Sequence, residues 1–460
     1  MSVLARIIFS VLVSIACARA ESRPNIIFVL ADDLRWDALR HAGNPVVETP
    51  NIDSLAKEGV RFTQSFVTTS ICCVSRASLF SGQYARRHGI GDFERPFSPG
   101  QWKQTYPARL RAAGYHTGFI GKFGVGNAKA IAAMANEFDF WRGRPGQGGL
   151  FFEAKDPTRT HATARFGEEA LDFIRTAPLD RPMCLSISFS APHARDGRPR
   201  EFEPDSRDES KYADAHIPVP EKAAPKYFDA LPEVARVSEG RVRWARRFDT
   251  PVRFQETVRD YLRLVTGIDR EIGRIREELA ERGLARNTVI IFTSDNGFFF
   301  GDRGLADKWL MYEESIRVPL VVHDPRLPQA RRGSVVDQLA LNIDLAPTLL
   351  EFAGLEPSES MQGQSVLPLV VNGQVANWRT DFFYEHHFGE NRQPPIPATE
   401  GVREARWKYT RWTGTNPVFE ELFDLETDPQ ELHNLAKDES QQSQLERLRK
   451  RWTRLANDLN

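Results

Sequence analysis

Four short apolar runs, each stopping abruptly on chemically active polar residues, constrain this 460-residue chain more than any other feature. They are NIIFVLADD (25–33), TGFIGKFG (117–124), MCLSISFSAPH (183–193) and NTVIIFTSDNG (287–297). Continuous runs of this length, rich in Ile and Val, suit parallel strands covered on both faces. Ahead of the fourth, Val258, Tyr261, Val265, Ile268, Ile272, Ile275 and Leu279 recur at three and four residues from about Gln255 to Arg282, which predicts a long helix with one apolar stripe. Strands alternating with helices predict an α/β fold with a doubly wound sheet. In such sheets ligands bind beyond the carboxyl ends of the strands. Here those ends carry Asp32-Asp33, Lys122, His193 and Asp295-Asn296.

The first twenty residues, MSVLARIIFSVLVSIACARA, place Arg6 before an apolar run and end in Ala18-Arg19-Ala20. This is the pattern of a secretory signal peptide cut after Ala20, and it predicts a periplasmic or secreted protein. A lipid anchor at Cys17 is the competing reading, weakened by Ser14 where a leucine-like residue is usual. No other stretch is long and apolar enough to span a bilayer, so no stable membrane insertion is expected once the signal is removed. A formal net charge of -1 gives no global positive field for holding nucleic acid.

Residues 21–377 are expected to form the catalytic domain. Within it, 194–250 is aperiodic and rich in charge and proline, as a lid or insertion would be. From 378 the pattern changes to short alternating segments, DFFYEHHF and REARWKYTRW, and then to a helix with Leu445, Leu448, Trp452, Leu455 and Leu459 on one stripe. Residues 378–460 therefore read as a smaller C-terminal α+β subdomain.

The strand-end acids offer only hard oxygen ligands, which favours Ca²⁺ or Mg²⁺ over zinc. Asp32-Asp33 alone reads equally well as a helix cap, and the metal reading leads only when Asp295-Asn296 joins it. Lys122 and Lys308 stand beside glycine-containing turns, where a lysine can point its charge at an oxyanion or simply lie at the surface. His193 is a candidate to protonate a leaving oxygen, or a satisfied hydrogen-bonding residue. The leader holds Cys17, so the mature chain has Cys72, Cys73 and Cys184. An odd count with two adjacent members is a poor disulfide framework.

The adjacent pair lies in CCVSRASLFSG (72–82), which resembles the sulfatase signature Cys-x-Pro-Ser-Arg with its small/apolar tail. With NIIFVLADD, TPNIDSLAKEGVRFTQSF (49–66), TSDNGFFFGDRGLADKW (293–309) and LFDLETDPQELHNLA (422–436), the chain resembles the type I sulfatases of the alkaline-phosphatase superfamily along nearly its whole mature length. The look is similar to the glucosamine 6-sulfatase and mucin-desulfating branch. The resemblance implies an alkaline-phosphatase-like mixed, mostly parallel sheet. It also implies that Cys72 is oxidised to formylglycine (3-oxoalanine) by a formylglycine-generating enzyme. Asp32, Asp33, Asp295 and Asn296 would then hold one Ca²⁺ together with the modified Cys72, Arg76 would brace that side chain, and Lys122, His193 and Lys308 would surround the sulfate. The family's nucleophile is the hydrated aldehyde, which attacks sulfur and later expels sulfate.

Three residues depart from the family pattern. Val74 replaces the signature proline, Gly124 stands where a GKWHLG-like segment has a histidine, and Arg303 stands where a histidine is common. The missing histidine leaves the base for sulfate release unassigned. The implied substrate is a sulfated saccharide, with Arg243, Trp244 and Arg246 of RVRWARRF and His386, His387 and Arg403 of the C-terminal subdomain as candidate contacts. The RVRWARRF segment reads equally as a solvated helical patch. The alternatives are a phosphatase or phosphodiesterase of the same superfamily, and a non-catalytic glycan-binding relative.

Overall fold

The computed structural model describes residues 23–146, 160–389 and 391–459, and the expected leader lies outside the described residues. All four apolar runs are strands, at Asn25–Asp32, His116–Lys122, Met183–Pro192 and Thr288–Ser294. Every residue in them is buried except His116, as expected of strands covered on both sides.

These four are immediate neighbours in an eight-stranded sheet, whose strands run across it in the order Ser334, Val60, Leu320, Thr288, Asn25, Met183, His116, Phe140, each named by its first residue. All the pairings are parallel except those of Leu320–His323, which runs against both of its neighbours. The four central strands therefore point the same way, and their carboxyl ends lie side by side along one edge. Register fixes the alignment there, with Ala31 opposite Ser294, Asp32 opposite Pro192 and Gly121 opposite Ser188.

The predicted long helix is Pro251–Glu281, and all seven residues of its stripe are buried against one face of the sheet. It begins four residues before the apolar periodicity because Pro251 occupies its first turn and the Thr250 hydroxyl accepts the Arg253 N–H. On the other face, a second core gathers around Phe80, Tyr106, Phe119, Phe123 and Trp102. Residues 194–250 run as short helices and turns.

A four-stranded antiparallel sheet spans Asp381 to Asp424, and the helix Gln442–Asp458 packs on it through Leu445 and Leu448. The joint with the main body contains buried charge. Lys408 and Arg403 contact Glu313, Lys408 also contacts Glu431, and the Arg303 guanidinium donates to the Glu431 carbonyl while lying over the Tyr312 ring. Arg303 thus braces the C-terminal turn that carries Glu431.

Candidate active site

Cys72 is the first residue of the helix Cys72–Ser81, and every residue of that helix is buried. Its small side chains let it lie close against neighbouring elements, and Gly82 ends it in a left-handed conformation at φ +67°. Ile71 before it is extended and offers no side-chain cap, so the amino end, with its free N–H groups and positive dipole, faces the strand ends.

The Cys72 Sγ lies 3.3 Å from Asp32 Oδ1 and 3.9 Å from Asp33 Oδ1. Lys122 Nζ donates to Asp32 Oδ2 at 2.6 Å, and Lys308 Nζ to both oxygens of Asp33 at 2.6 Å. Arg76 donates through Nε to Asp295 Oδ2 at 2.8 Å and through Nη1 to the Lys122 carbonyl at 2.5 Å and to the Ser188 hydroxyl. His193 donates from Nδ1 to its neighbour's carbonyl, Ala194 O, at 2.6 Å, which leaves Nε2 turned toward Asp33 Oδ2 at 3.5 Å. Nine residues singled out as catalytic or metal-binding, from four strand ends, one helix and the 293–309 segment, thus converge on one buried cluster.

Its electrostatics are those of a site poised for a cation and an anion. Burial opposes ionisation of Asp32, but Lys122, His193 and Arg76 override it and hold the carboxyl well below its usual range. Burial pushes Asp33 up to about 6 despite Lys308, with Asp32 adding to the rise. Burial and the Asp32 charge likewise push Asp295 up to about 6. Burial lowers His193 to about 3, reinforced by Lys308, so its imidazole is neutral. Lys308 is raised because Asp33 outweighs the cost of burying an ammonium.

The donor set fits a hard divalent ion. Asp32, Asp33 and Asp295 supply carboxylates, and Asn296 Oδ1 is buried with no hydrogen-bond partner while its Nδ2 donates to Asp33 Oδ1 at 2.5 Å. Ligand atoms of Asp32, Asp33, Cys72 and His193 all lie within 4.8 Å of one another. A divalent cation would offset the burial and, secondarily, the carboxylate repulsion that raise Asp33 and Asp295, and it would satisfy the Asn296 oxygen.

Two contributors carried no sequence signal. Tyr261, one of seven stripe residues, donates its hydroxyl to the Asp33 carbonyl at 2.6 Å and accepts the Arg35 N–H at 3.1 Å, holding Asp33 at φ +66°. Asp307 is fully buried at φ +69° and receives Arg247 Nη1 at 2.8 Å and Arg243 Nη1 at 3.1 Å, which anchors the residue next to Lys308.

The six candidate substrate contacts scatter. Arg243 is turned inward onto Asp307, Asp196 and Glu239, and half-buried Trp244 lies under the Arg241 guanidinium. Arg246 is exposed on the other side of the same helix. His386 is fully buried, whereas His387 reaches outward and pairs with Glu400 at 3.0 Å. Arg403 needs correction as a substrate contact: it is 3% exposed, and its guanidinium is taken up by Glu313, Gln64 and the carbonyls of Glu404 and Ala405. Arg403→Ala is therefore expected to lower stability by about 3 kcal/mol, the cost of stranding a buried charge. Thermal unfolding checks this, and an unchanged melting temperature with a raised KM would restore the substrate role.

The architecture and this cluster define a class of protein. A sulfatase family model matches residues 24–355, and the model of the N-sulphoglucosamine sulphohydrolase C-terminal region matches 301–458. The chain belongs to the sulfatase family and is a sulfuric ester hydrolase. It is 28% identical to an N-acetylglucosamine-6-O-sulfatase of Bacteroides thetaiotaomicron over 91% of this chain and 84% of that one. It is also 28% identical to an arylsulfatase of Clostridium perfringens over 93% of each. Among solved structures, one in complex with its substrate D-glucosamine-2-N,6-O-disulfate superposes with a TM-score of 0.81 at 25% identity, covering 95% of this chain and 98% of that one. The phosphonate monoester hydrolase of Agrobacterium radiobacter shares the fold, with a TM-score of 0.79 at 22% identity over 95% and 96% of the two chains.

Proposed function

We propose that this protein is an exported sulfatase that hydrolyses sulfate monoesters on a sulfated glycan, using calcium and a formylglycine made from Cys72 by a formylglycine-generating enzyme. The observation that carries the proposal is Cys72 within 3.3 Å of Asp32 and 3.9 Å of Asp33, with Lys122, Lys308 and His193 around them. The glycan reading draws support from relatives whose names specify N-acetylglucosamine 6-sulfate and ulvan, and from the neighbour that holds a disulfated glucosamine.

Asp32, Asp33, Asp295 and Asn296 would hold the calcium ion. When bound, the ion and the modified residue supply an acidified hydrate as nucleophile and a positive centre for sulfate oxygens. The rest falls to side chains of this chain. Lys122 and Lys308 sit on opposite sides of the aspartate pair, one on Asp32 and the other on Asp33, where they can share the sulfuryl oxygens between them. His193 presents Nε2 to the cluster from a ring fixed through Nδ1; in the neutral ring that nitrogen is an acceptor, so it must first take up a proton before passing it to a departing alcohol. Arg76 ties Asp295 to the Lys122 carbonyl, so a metal ligand and a sulfate-binding lysine keep a set separation.

The oxygen-only donors argue against the two-zinc arrangement of a related phosphatase, and the retained nucleophile, lysines and acids argue against a binding-only relative. Ion chromatography of sulfate released from a panel of sulfated mono- and oligosaccharides tests the function. Release that stops with chelator and returns with calcium is expected, and phosphate ester hydrolysis without sulfate release would contradict it.

Calcium affinity should also depend on pH in a defined direction. Asp33 and Asp295 are raised to about 6, so below that value a proton occupies the site that calcium needs, and above it the carboxylates are free. Calorimetric affinity is expected to fall at least about tenfold between pH 7.5 and pH 5, one pH unit costing about 1.4 kcal/mol per displaced proton. Equal affinity at the two pH values would refute this.

A further inference from the structure

A second cationic site lies beside the catalytic cluster. The chain leaving His193 runs through Arg198 into one wall of a cavity of about 960 Å³, and the amino-terminal part of the long helix forms another. Seven arginines and three carboxylates line it. Four of the arginines are committed elsewhere: Arg200 and Arg263 bind Asp260, Arg253 binds Asp249, and Arg247 binds Glu201. Arg198, Arg246 and Arg259 have no carboxylate partner among the described residues. Arg198 and Arg246 are exposed; Arg259 is half-buried, donates through Nη2 to the Ala215 carbonyl at 3.2 Å, and has its buried Nε without any partner.

A half-buried guanidinium with an unsatisfied donor is costly unless something outside the chain accepts from it. The fork geometry of arginine suits the paired oxygens of sulfate and carboxylate groups. Position narrows the ligand further. Arg247 forms the shared wall, with one guanidinium nitrogen on Glu201 at the cavity and another on Asp307 next to Lys308. Arg247 therefore couples the cavity wall to the segment that carries Lys308.

We propose that this cavity binds the anionic groups of a sulfated glycan strand at sugar units beyond the one cleaved, through Arg198, Arg246 and Arg259. The substrate is then an oligosaccharide or polymer rather than a single sulfated sugar. This rests on the sulfatase reading above. It also gives Arg246 a place away from the scissile bond, in contrast to Arg243, which the same helix directs inward onto Asp307.

The double variant Arg198→Ala/Arg259→Ala tests it. Its kcat/KM for a multiply sulfated oligosaccharide, divided by that for the monosulfated sugar of the same kind, is expected to fall at least tenfold, with the loss in KM. An unchanged ratio, or equal loss on both substrates, overturns the proposal. A binding measurement keeps the groove testable should no substrate of either kind turn over: the wild-type enzyme is expected to retain dextran sulfate at a higher salt concentration than the double variant. Equal retention of the two proteins, or preferential retention of single-stranded DNA over dextran sulfate by the wild type, overturns it. Circular dichroism of the double variant establishes that it is folded, and Arg198→Ala alone, at an exposed position, is expected to give part of the same shift.

Discussion

Replacing Cys72 with alanine is expected to abolish sulfate release, a loss on the order of 10⁴-fold or more as for other removed nucleophiles, while the protein remains folded. The change deletes one buried sulfur at the start of a helix whose other contacts persist, so the stability cost is that of a small cavity, about 1–2 kcal/mol. Cys73→Ser should behave in the opposite way. Cys73 packs in an apolar cluster with Ile71, Val74, Trp309 and Ile396, so a hydroxyl there costs about 1–3 kcal/mol of stability but leaves turnover in place. Sulfate assays alongside near-ultraviolet circular dichroism separate the two, and an active Cys72→Ala with an inactive Cys73→Ser would put the nucleophile at the wrong position.

The second large effect concerns Gly124, where the family pattern has a histidine. Restoring that histidine is expected to damage the enzyme. Gly124 has φ +77°, and a Cβ there would lie 2.5 Å from the Arg76 Cδ. The left-handed conformation costs a side chain about 1–2 kcal/mol. Displacing Arg76 also breaks its buried contact with Asp295, worth about 3–5 kcal/mol. Those costs fall on stability; on activity, Gly124→His should lose kcat/KM by roughly 10²-fold, the scale of a ~1 Å misplacement of groups in the site, because Arg76 no longer braces Asp295. Gly124→Ala should lose a comparable amount, because the clash begins at Cβ. A Gly124→His enzyme faster than wild type would mean that the backbone relaxes and the imidazole resumes a role as base.

What could be read in advance divides along physical lines. The sheet was legible because a buried parallel strand needs an unbroken apolar run, and the four runs ended on the residues that now meet at one edge. The long helix was legible because its stripe spans many turns. Tyr261 was not legible as a site residue: the same position in the stripe serves a core tyrosine, and only the packing reveals a hydroxyl aimed at the Asp33 backbone. Arg403 misled for a related reason, since a charged residue in an alternating strand suggests exposure, whereas Glu313 and Lys408 make a buried charge cluster there. The RVRWARRF segment mixed two roles, because helical geometry sends Arg243 and Arg247 inward while Arg246 faces solvent. Spacing alone does not say which side of a short helix is covered.

The most direct test of the account is peptide mass spectrometry of the segment holding Cys72 and Cys73, from protein made alongside a formylglycine-generating enzyme, with sulfatase activity measured on the same samples. The account predicts an aldehyde at Cys72, an intact thiol at Cys73, and activity that scales with the modified fraction. Full sulfatase activity in protein carrying a thiol at Cys72, or the aldehyde at Cys73, would contradict it.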